Sequence, residues 1–124
     1  MQIQDALGAR CILHVCGNTT PLLKQMVKTH ALGLSLDSMV DFGTISNMIP
    51  SDMMLIGNVS PVKTFLQGTA DDVEHDVRNL LNAMRGKTNF VLSSGCDLPA
   101  GVPLENIERF VEVGRSSSWQ PSGQ

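Results

Sequence analysis

A histidine and two cysteines are the side chains of this sequence best suited to chemistry. His14 and Cys16 lie at the end of an apolar run that begins at Cys11, and Cys96 follows another apolar run far along the chain. Two thiolates and one imidazole form a donor set that suits zinc. Three protein ligands leave a fourth position for a substrate, which is typical of a catalytic rather than a structural zinc site. One interpretation of the set is therefore a catalytic zinc centre.

A structural interpretation of the same side chains stays open. His14 is then a hydrogen-bonded histidine of the core, and the cysteines are small buried apolar groups. Cys11 alternates to the opposite side of its run from His14, so it is expected to pack rather than to ligate. The odd number of cysteines argues against a disulfide scaffold, and the first residues lack the basic and apolar segments of a signal peptide. Both observations favour the cytoplasm.

Four short apolar runs alternate with helical patterns and must position these side chains. Each run is too short for a stable helix and is bounded by turn residues, which predicts strands at residues 11–16, 34–37, 53–56 and 90–93. A succession of strand–helix units predicts a parallel sheet. Because the carboxyl ends of parallel strands share one edge, where α/β proteins build their sites, His14, Cys16 and Cys96 are expected to meet there.

Three helices are predicted from caps and periodicity. The first has Thr20 as its N-cap with Pro21 in the first turn, and ends near His30. The second begins at Thr69, is followed by Gly86 and carries one apolar stripe, formed by Val73, Val77, Leu80, Leu81 and Met84. A last helix is expected through Ile107, Phe110 and Val111. The segment 38–49 is ambiguous, and one interpretation is a short helix through Met39, Val40 and Phe42.

Two architectures fit four strand–helix units in 124 residues. One is a small open α/β sheet, and the other is half of a (β/α)₈ TIM barrel, because a complete barrel takes about 250 residues. The chemistry expected at the carboxyl edge favours the half barrel. It is assigned to residues 1–115, and residues 116–124 are predicted to form a flexible polar tail.

The composition argues against two classes of partner. Nine Lys and Arg against twelve Asp and Glu leave a net charge of -3 without a basic cluster, so no nucleic-acid surface is expected. No apolar run approaches the ~18 residues that cross a bilayer, so no membrane span is expected. A hydrophobic fraction of 42% is instead that of a chain that forms a core.

Three further motifs accompany the His-x-Cys pair, at residues 57–62, 92–99 and 103–107. Together with residues 14–18 they resemble the uroporphyrinogen decarboxylase superfamily, and within it the methylcobamide:coenzyme M methyltransferase branch. The joint occurrence of His-x-Cys and the distant Gly-Cys-Asp favours the methyltransferases, since uroporphyrinogen decarboxylases proper lack this triad. The resemblance runs from about residue 9 to residue 115 and corresponds to the C-terminal half of a family barrel, strands five to eight.

The resemblance implies a fold and a mechanism. Members of the family fold as (β/α)₈ barrels, and the methyltransferases bind zinc through three residues that map onto His14, Cys16 and Cys96. Zinc would deprotonate a thiol such as coenzyme M, and the bound thiolate would attack the methyl group of a methylated corrinoid (methylcobalamin), supplied by a corrinoid protein. The chain is accordingly predicted to be part of a zinc-dependent methyltransferase.

Four more polar residues are candidates at the same edge. Asp37 ends the second strand and is predicted as a catalytic carboxylate that fills the fourth zinc position until the thiol displaces it. Orienting His14 and capping a helix are the alternatives for this aspartate. Asn18 and Asn58 each follow a strand and a glycine, and Asp97 follows the second cysteine of the triad. These three are candidate cofactor-binding residues, with ordinary turn chemistry as the alternative.

Length is the largest departure from the family pattern, since the resemblance lacks the N-terminal half of a barrel. Either the sequence belongs to a longer protein, or two halves associate. A four-stranded half barrel has two unpaired edges and an apolar inner face, so self-association or pairing with a complementary half barrel is expected. Two other functions stay open: a relative with another methyl acceptor, such as tetrahydrofolate, and a noncatalytic half-barrel module that binds a partner.

Overall fold

The computed structural model describes residues 2–116, in which four strands alternate with helices. The strands form one parallel sheet in sequence order, with β1 at Ile12–Val15, β2 at Gly33–Leu36, β3 at Met54–Val59 and β4 at Phe90–Ser94. The four predicted strands are thus confirmed, although β3 continues beyond its predicted end. Within the described residues, no helix combines the length and the apolar character needed to cross a bilayer.

Helices connect and flank the strands. The α-helices are α1 (Gln2–Leu7), α2 (Leu23–Val27), α3 (Phe42–Ile45), α4 (Ala70–Ala83) and α5 (Leu104–Ser116). Shorter helical turns are the 3₁₀ turns Thr20–Leu22 and Ser46–Met48 and the π-helical turn Pro61–Leu66. The sequence pattern predicts neither α1 nor the π-helical turn, because the 6 residues of each are too few to reveal a helical period.

Helix α4 begins where the sequence predicts. The Thr69 hydroxyl accepts the backbone N–H of Asp72, and the Asp72 carboxylate accepts the backbone N–H of Thr69, which together form a capping box. The predicted apolar stripe faces the core, where Val73, Val77 and Leu81 are buried. Gly86 follows the helix in the left-handed conformation, with φ 83°, which ends the helical path at little steric cost.

Two predicted helix starts are wrong. Thr20 lies inside the 3₁₀ turn instead of capping it, and Thr19 occupies the N-cap position. In the segment 38–49, α3 begins only after Asp41, whose carboxylate accepts the N–H of Gly43. Met39 therefore precedes the helix and is 68% exposed. The Asp41 side chain fixes the first residue of α3, because it accepts a backbone N–H that has no partner within the helix. The pattern of apolar residues does not show this cap.

The two faces of the sheet differ in their cover. Leu13 and Val15 pack against the buried core beneath the helices, together with residues of β2 and β3. Ile12 and His14 point to the opposite face, where Ile12 is 55% and Val91 of β4 is 40% exposed. The alternation predicted for β1 is thus confirmed. The face that lines the inside of a closed barrel is open in the part of the chain that the structure describes.

The core consists of two adjoining clusters on the helix-covered face. One lies under β1, β2 and β3, and the other lies between β3, β4, α4 and α5. Leu80 and Phe90 pack against both clusters, and the rings of Phe42 and Phe90 meet edge to face at 6.3 Å between centroids. Burial of this apolar surface holds the strands in place, and with them the residues at the strand ends.

Besides its apolar packing, helix α5 is joined to the preceding segment by a buried asparagine. The side-chain amide of Asn106 donates to the carbonyl oxygens of Phe65 and Gly68, at 2.8 and 2.9 Å. Arg109 adds ion pairs across to α4 on the surface. The helix ends at Ser116, and the predicted polar tail lies outside the described residues from residue 117 onward.

Candidate metal centre

His14 is oriented by the neighbouring strand. In the β1–β2 register it lies opposite Ser35, and its Nδ1 is 3.0 Å from the Ser35 carbonyl oxygen and 2.9 Å from the Ser35 hydroxyl oxygen. Because a carbonyl oxygen can only accept, the tautomer with its hydrogen on Nδ1 is the one that satisfies this contact. The Nε2 lone pair is then free and points away from β2.

Two thiols lie around this nitrogen. The Cys16 Sγ is 3.4 Å and the Cys96 Sγ is 3.7 Å from Nε2 of His14, and the two sulfur atoms are 3.1 Å apart. All three atoms fall within 4.8 Å of one another. The structure therefore brings together the three residues that the sequence predicts as metal ligands, from the two outer strands of the sheet.

Without a bound cation, the surroundings of Cys16 and Cys96 disfavour the thiolate form of Cys16. The hydrogen bond with Cys96 raises the pKa of the Cys16 thiol above its ordinary value, and desolvation and the charges of Cys96, Asp37 and Asp97 raise it further. Two thiolates this close repel each other. A bound divalent cation acts in the opposite direction and stabilises both thiolates.

The turn after β4 places Cys96. The Gly95 N–H donates to the Val59 carbonyl at 2.8 Å, and the Ser94 hydroxyl donates to the Cys96 carbonyl at 2.8 Å. A Cβ added to Gly95 would lie 2.6 Å from the backbone nitrogen of Ser38. The turn thus lies directly against the chain that follows β2, and only glycine permits this approach.

Asp37, directly after β2, uses both carboxylate oxygens on backbone donors. Oδ2 accepts the N–H of Gly17 at 2.8 Å, and Oδ1 accepts the N–H of Ser38 at 2.7 Å. Burial opposes its charge, but these bonds outweigh burial and hold the pKa of Asp37 below its usual value. Asp37 is not one of the three clustered ligand residues. It fixes the residue that follows Cys16 and so helps to place that thiol.

Asn58 is buried and does not follow β3 but lies within it. Its side-chain amide donates to the carbonyl oxygens of Asp37 and Val40, at 2.9 and 2.6 Å. Pairing of Asn58 with Ser93 of β4 continues the strand through residues that read as a turn. Asn58 also lines a cavity of about 290 Å³ beside the strand ends.

The two remaining candidates, Asp97 and Asn18, differ in their surroundings. Asp97 lines, with His14 and Cys96, a recess of about 190 Å³. Asn18 is exposed, and its side-chain oxygen accepts the N–H of Thr20 at 3.2 Å, which is ordinary turn chemistry. The structure therefore places Asp97 in the lining of this recess, whereas Asn18 is not among the residues that line it.

Sequence reasoning missed Ser35, which also lines this recess. A serine in the middle of an apolar strand is a weak signal by itself. The role of Ser35 becomes clear only from the register between β1 and β2, which sets it opposite His14.

The alternation of parallel strands with helices makes this an α/β fold. Its candidate ligand atoms lie at the carboxyl edge of the sheet, where proteins of this class build their sites. The chain belongs to the uroporphyrinogen decarboxylase (URO-D) family, whose family model matches residues 1–117.

Curated and solved relatives are methyltransferases and decarboxylases. The methylcobamide:CoM methyltransferase MtbA of Methanosarcina acetivorans is 34% identical over 113 residues, which cover 91% of this chain and 32% of that protein. A uroporphyrinogen decarboxylase of Prochlorococcus marinus is 30% identical over 108 residues, covering 87% of this chain and 30% of that enzyme. A solved methyltransferase from Methanosarcina mazei has a TM-score of 0.78 at 27% identity, covering 90% of this chain and 32% of that one.

The chain thus spans about a third of the length of the relatives it matches. The predicted family is confirmed, and so is the predicted fold, a parallel strand–helix array that corresponds to part of a TIM barrel.

Proposed function

We propose that this chain is part of a zinc-dependent methyltransferase that passes a methyl group from a methylated corrinoid to a thiol such as coenzyme M. One observation carries the proposal: the ligand atoms of His14, Cys16 and Cys96 lie within 4.8 Å of one another. The relatives named methylcobamide:CoM methyltransferases support methyl transfer rather than decarboxylation.

The donor set fits zinc in its chemistry and in its access. His14 offers the Nε2 lone pair when Nδ1 donates to Ser35, and both cysteines are free thiols. Imidazole and thiolate ligands with one position left open are those of catalytic zinc sites. Cys16 is exposed, so a small thiol can reach the cluster. When bound there, zinc would hold the substrate thiol as a nucleophilic thiolate.

Asp37 is the proposed catalytic carboxylate. Its charge acts on both His14 and Cys16, which supports a place beside the ligand set. Its proposed role is to fill the fourth ligand position before the thiol arrives. To do so, the carboxylate gives up one of its two backbone hydrogen bonds, and the bond to Ser38 is local enough to survive the movement.

Asn18, Asn58 and Asp97 are the proposed contacts for the corrinoid, which a corrinoid protein would present at the same edge. Asp97 lines the recess beside the ligand set, Asn18 is exposed two residues after Cys16, and Asn58 lines a separate cavity. Polar side chains of this kind suit a large cofactor with amide side chains.

The rest of the barrel is proposed to come from a complementary half or from a second copy of this chain. Among the described residues, β1 and β4 each have one neighbour in the sheet, so each keeps a free edge. Ile12 and Val91 add exposed apolar surface on the uncovered face. Strand pairing at the edges and burial of this face would close the barrel. The free thiols support a reducing compartment, and the cytoplasm is the proposed location.

Zinc binding by the purified chain tests the metal site, with Cys96→Ala and Cys11→Ala as matched variants. We expect the wild type and Cys11→Ala to bind Zn²⁺ equally, and Cys96→Ala to lose on the order of 100-fold in affinity because a thiolate ligand is missing. Helix content, measured by circular dichroism, should be the same in all three. No uptake by the wild type, or undiminished binding by Cys96→Ala, contradicts the proposal.

A methyl-transfer assay separates the proposal from a second candidate, a noncatalytic half-barrel module. The second candidate is favoured by coverage of only 32% of the relative. Methylcobalamin and coenzyme M are incubated with the zinc-loaded chain, alone and with a complementary half. Methylated thiol in either mixture supports the methyltransferase. Zinc binding without transfer in both supports the module, or a relative that uses another acceptor.

A further inference from the structure

Cys16 and Cys96 are also placed for a reaction with each other. Their sulfur atoms are 3.1 Å apart, and both residues are free thiols. The sulfur atoms of a disulfide are about 2.05 Å apart, so an approach of about 1 Å completes the bond. We infer that the two cysteines form a reversible redox modification site, which closes to an intramolecular disulfide by exchange with a low-molecular-weight disulfide. The inference needs only the two thiols and does not depend on the proposed metal.

The exposure of the two thiols sets the order of the steps. Cys16 is exposed and Cys96 is half-buried, so the oxidant meets Cys16 first. Although the neighbouring Cys96 thiol raises the pKa of Cys16 and so slows this step, the Cys16 thiolate attacks one sulfur of the small disulfide, forms a mixed disulfide and releases one small thiol. The Cys96 thiolate then attacks the Cys16 sulfur and releases the second. The protein loses two electrons and two protons, and the small disulfide is reduced to two thiols.

In an unfolded chain, Cys11 and not Cys96 is the expected disulfide partner of Cys16. It lies only a few positions before Cys16, whereas Cys96 is 80 positions away. The loop-closure entropy of an unfolded chain therefore favours the pair Cys11 and Cys16. In the fold, Cys11 lies just before β1, its Sγ contacts the Ala9 carbonyl oxygen at 3.9 Å, and it is not part of the cluster of His14, Cys16 and Cys96. Exclusive pairing of Cys16 with Cys96 is thus a signature of the folded geometry.

Oxidation and metal binding would exclude each other. The disulfide takes up both sulfur atoms of the ligand set and leaves His14 as the one remaining member. Metal ligands must be free thiolates, so the oxidised chain cannot present this set. In a reducing compartment the dithiol form prevails, and the disulfide forms when that compartment becomes more oxidising.

The test treats the full chain, freed of metal by a chelator, with oxidised glutathione. The reaction is stopped with acid and followed by peptide mass spectrometry without reduction. We expect the free thiols to fall from three to one, with a single bond between the Cys16 and Cys96 peptides. Cys11→Ser should form the same bond, and Cys96→Ser should stop at a stable glutathione adduct on Cys16. The chain in urea serves as the reference and should pair Cys11 with Cys16. Folded protein that pairs Cys11, or that holds only mixed disulfides, overturns the inference.

Repeating the reaction with Zn²⁺ distinguishes this inference from the proposed function. Slower disulfide formation in the presence of Zn²⁺ supports both. Disulfide formation at an unchanged rate supports the redox site and counts against the metal site. Zinc binding that requires Cys96, in a metal-free chain that never forms the disulfide, overturns the redox site and leaves the proposed function standing.

Discussion

His14 is held by Ser35 on the adjacent strand, with Nδ1 at 2.9 Å from the serine hydroxyl oxygen and 3.0 Å from its carbonyl oxygen. The two residues are register partners in the β1–β2 ladder, so the sheet itself sets the direction of the ring. Because the carbonyl bond uses the Nδ1 hydrogen, Nε2 turns toward the two thiols as an acceptor. In metal sites, a carboxylate or carbonyl group commonly orients a ligand histidine in this way, and here the carbonyl and hydroxyl groups of Ser35 orient His14.

Replacing Ser35 by alanine should weaken zinc binding without unfolding the chain. The hydroxyl contact disappears while the carbonyl contact remains, so we expect a loss of about tenfold in affinity, the low end for the removal of such a partner. Competition with a chromophoric chelator measures it. Ser93→Ala is the matched control, since Ser93 lines the same recess and no contact of its side chain with His14 is present. Equal losses in both variants would contradict the role of Ser35.

Replacing Asp37 by asparagine should destabilise the chain and loosen the Cys16 segment. An amide has one acceptor oxygen and cannot accept the N–H groups of Gly17 and Ser38 on separate oxygens as the carboxylate does. We expect a loss of about 1–2 kcal/mol in the free energy of unfolding, measured with urea. Asp97→Asn, at an exposed position of the same rim, should stay within about 0.5 kcal/mol of the wild type.

The difference between the wild type and Asp37→Asn should depend on pH in one direction. The folded pKa of Asp37 lies below the ordinary value of 3.8, so its carboxylate contributes stability above that value. The contribution is lost as the pH falls from 3.8 through the lower folded pKa, where the carboxyl takes up a proton. Urea titrations over this range check it. A difference that stays constant down to the acid limit would assign the effect to something other than charge.

Strand positions and the clustering of His14, Cys16 and Cys96 were accessible from sequence, because both depend on strand pattern and sheet topology. Alternation alone puts His14 and Cys16 on one side of β1, and the topology rule for parallel strands brings Cys96 to the same edge. The end of β3 was not accessible, since Gly57 and Asn58 read as a turn. Ladder pairing of Asn58 with Ser93 overrides that local preference.

The supporting contacts of the site could not be predicted for a related reason. Ser35 depends on the exact register of two strands, and Gly95 depends on how closely two turns approach. Neither the register of the strands nor the approach of the turns can be inferred from the local sequence. The alternatives for Asp37 depend likewise on the folded structure, in which its two carboxylate oxygens accept the backbone N–H groups of Gly17 and Ser38.

Replacing Gly95 by alanine should disturb both the fold and the ligand set. The added methyl would lie 2.6 Å from the Ser38 nitrogen and 3.2 Å from the Asp37 carbonyl carbon, and backbone atoms cannot give way cheaply. We expect a loss of about 1–3 kcal/mol in the free energy of unfolding, together with weaker zinc binding as Cys96 moves. Gly43→Ala is the control. Its methyl meets neighbours at ordinary distances of 3.4 and 3.6 Å, so it should be neutral or stabilising.

Replacing Asn106 by alanine should lower stability while leaving zinc affinity unchanged. The side chain is 0% exposed, and its loss leaves the carbonyls of Phe65 and Gly68 without their donor and opens a cavity. We expect a loss of about 2–4 kcal/mol in urea, against less than about 0.5 kcal/mol for the exposed Asn79→Ala. A parallel fall in zinc affinity under native conditions would show that α5 supports the site, which its contacts do not predict.

Replacing Ile12 by glutamate should reduce association of the chain, either with itself or with a complementary half barrel. Ile12 is 55% exposed on the uncovered face of an edge strand, where a charge opposes burial against a partner. Leu22→Glu is the matched control, because Leu22 is 54% exposed but lies in the 3₁₀ turn Thr20–Leu22 and not in the sheet. Sedimentation velocity should show the wild type and Leu22→Glu associated to the same extent, and Ile12→Glu shifted toward the monomer. If the wild type is monomeric alone, the same comparison is made with the complementary half added, and equal binding of all three chains would exclude this face as the interface.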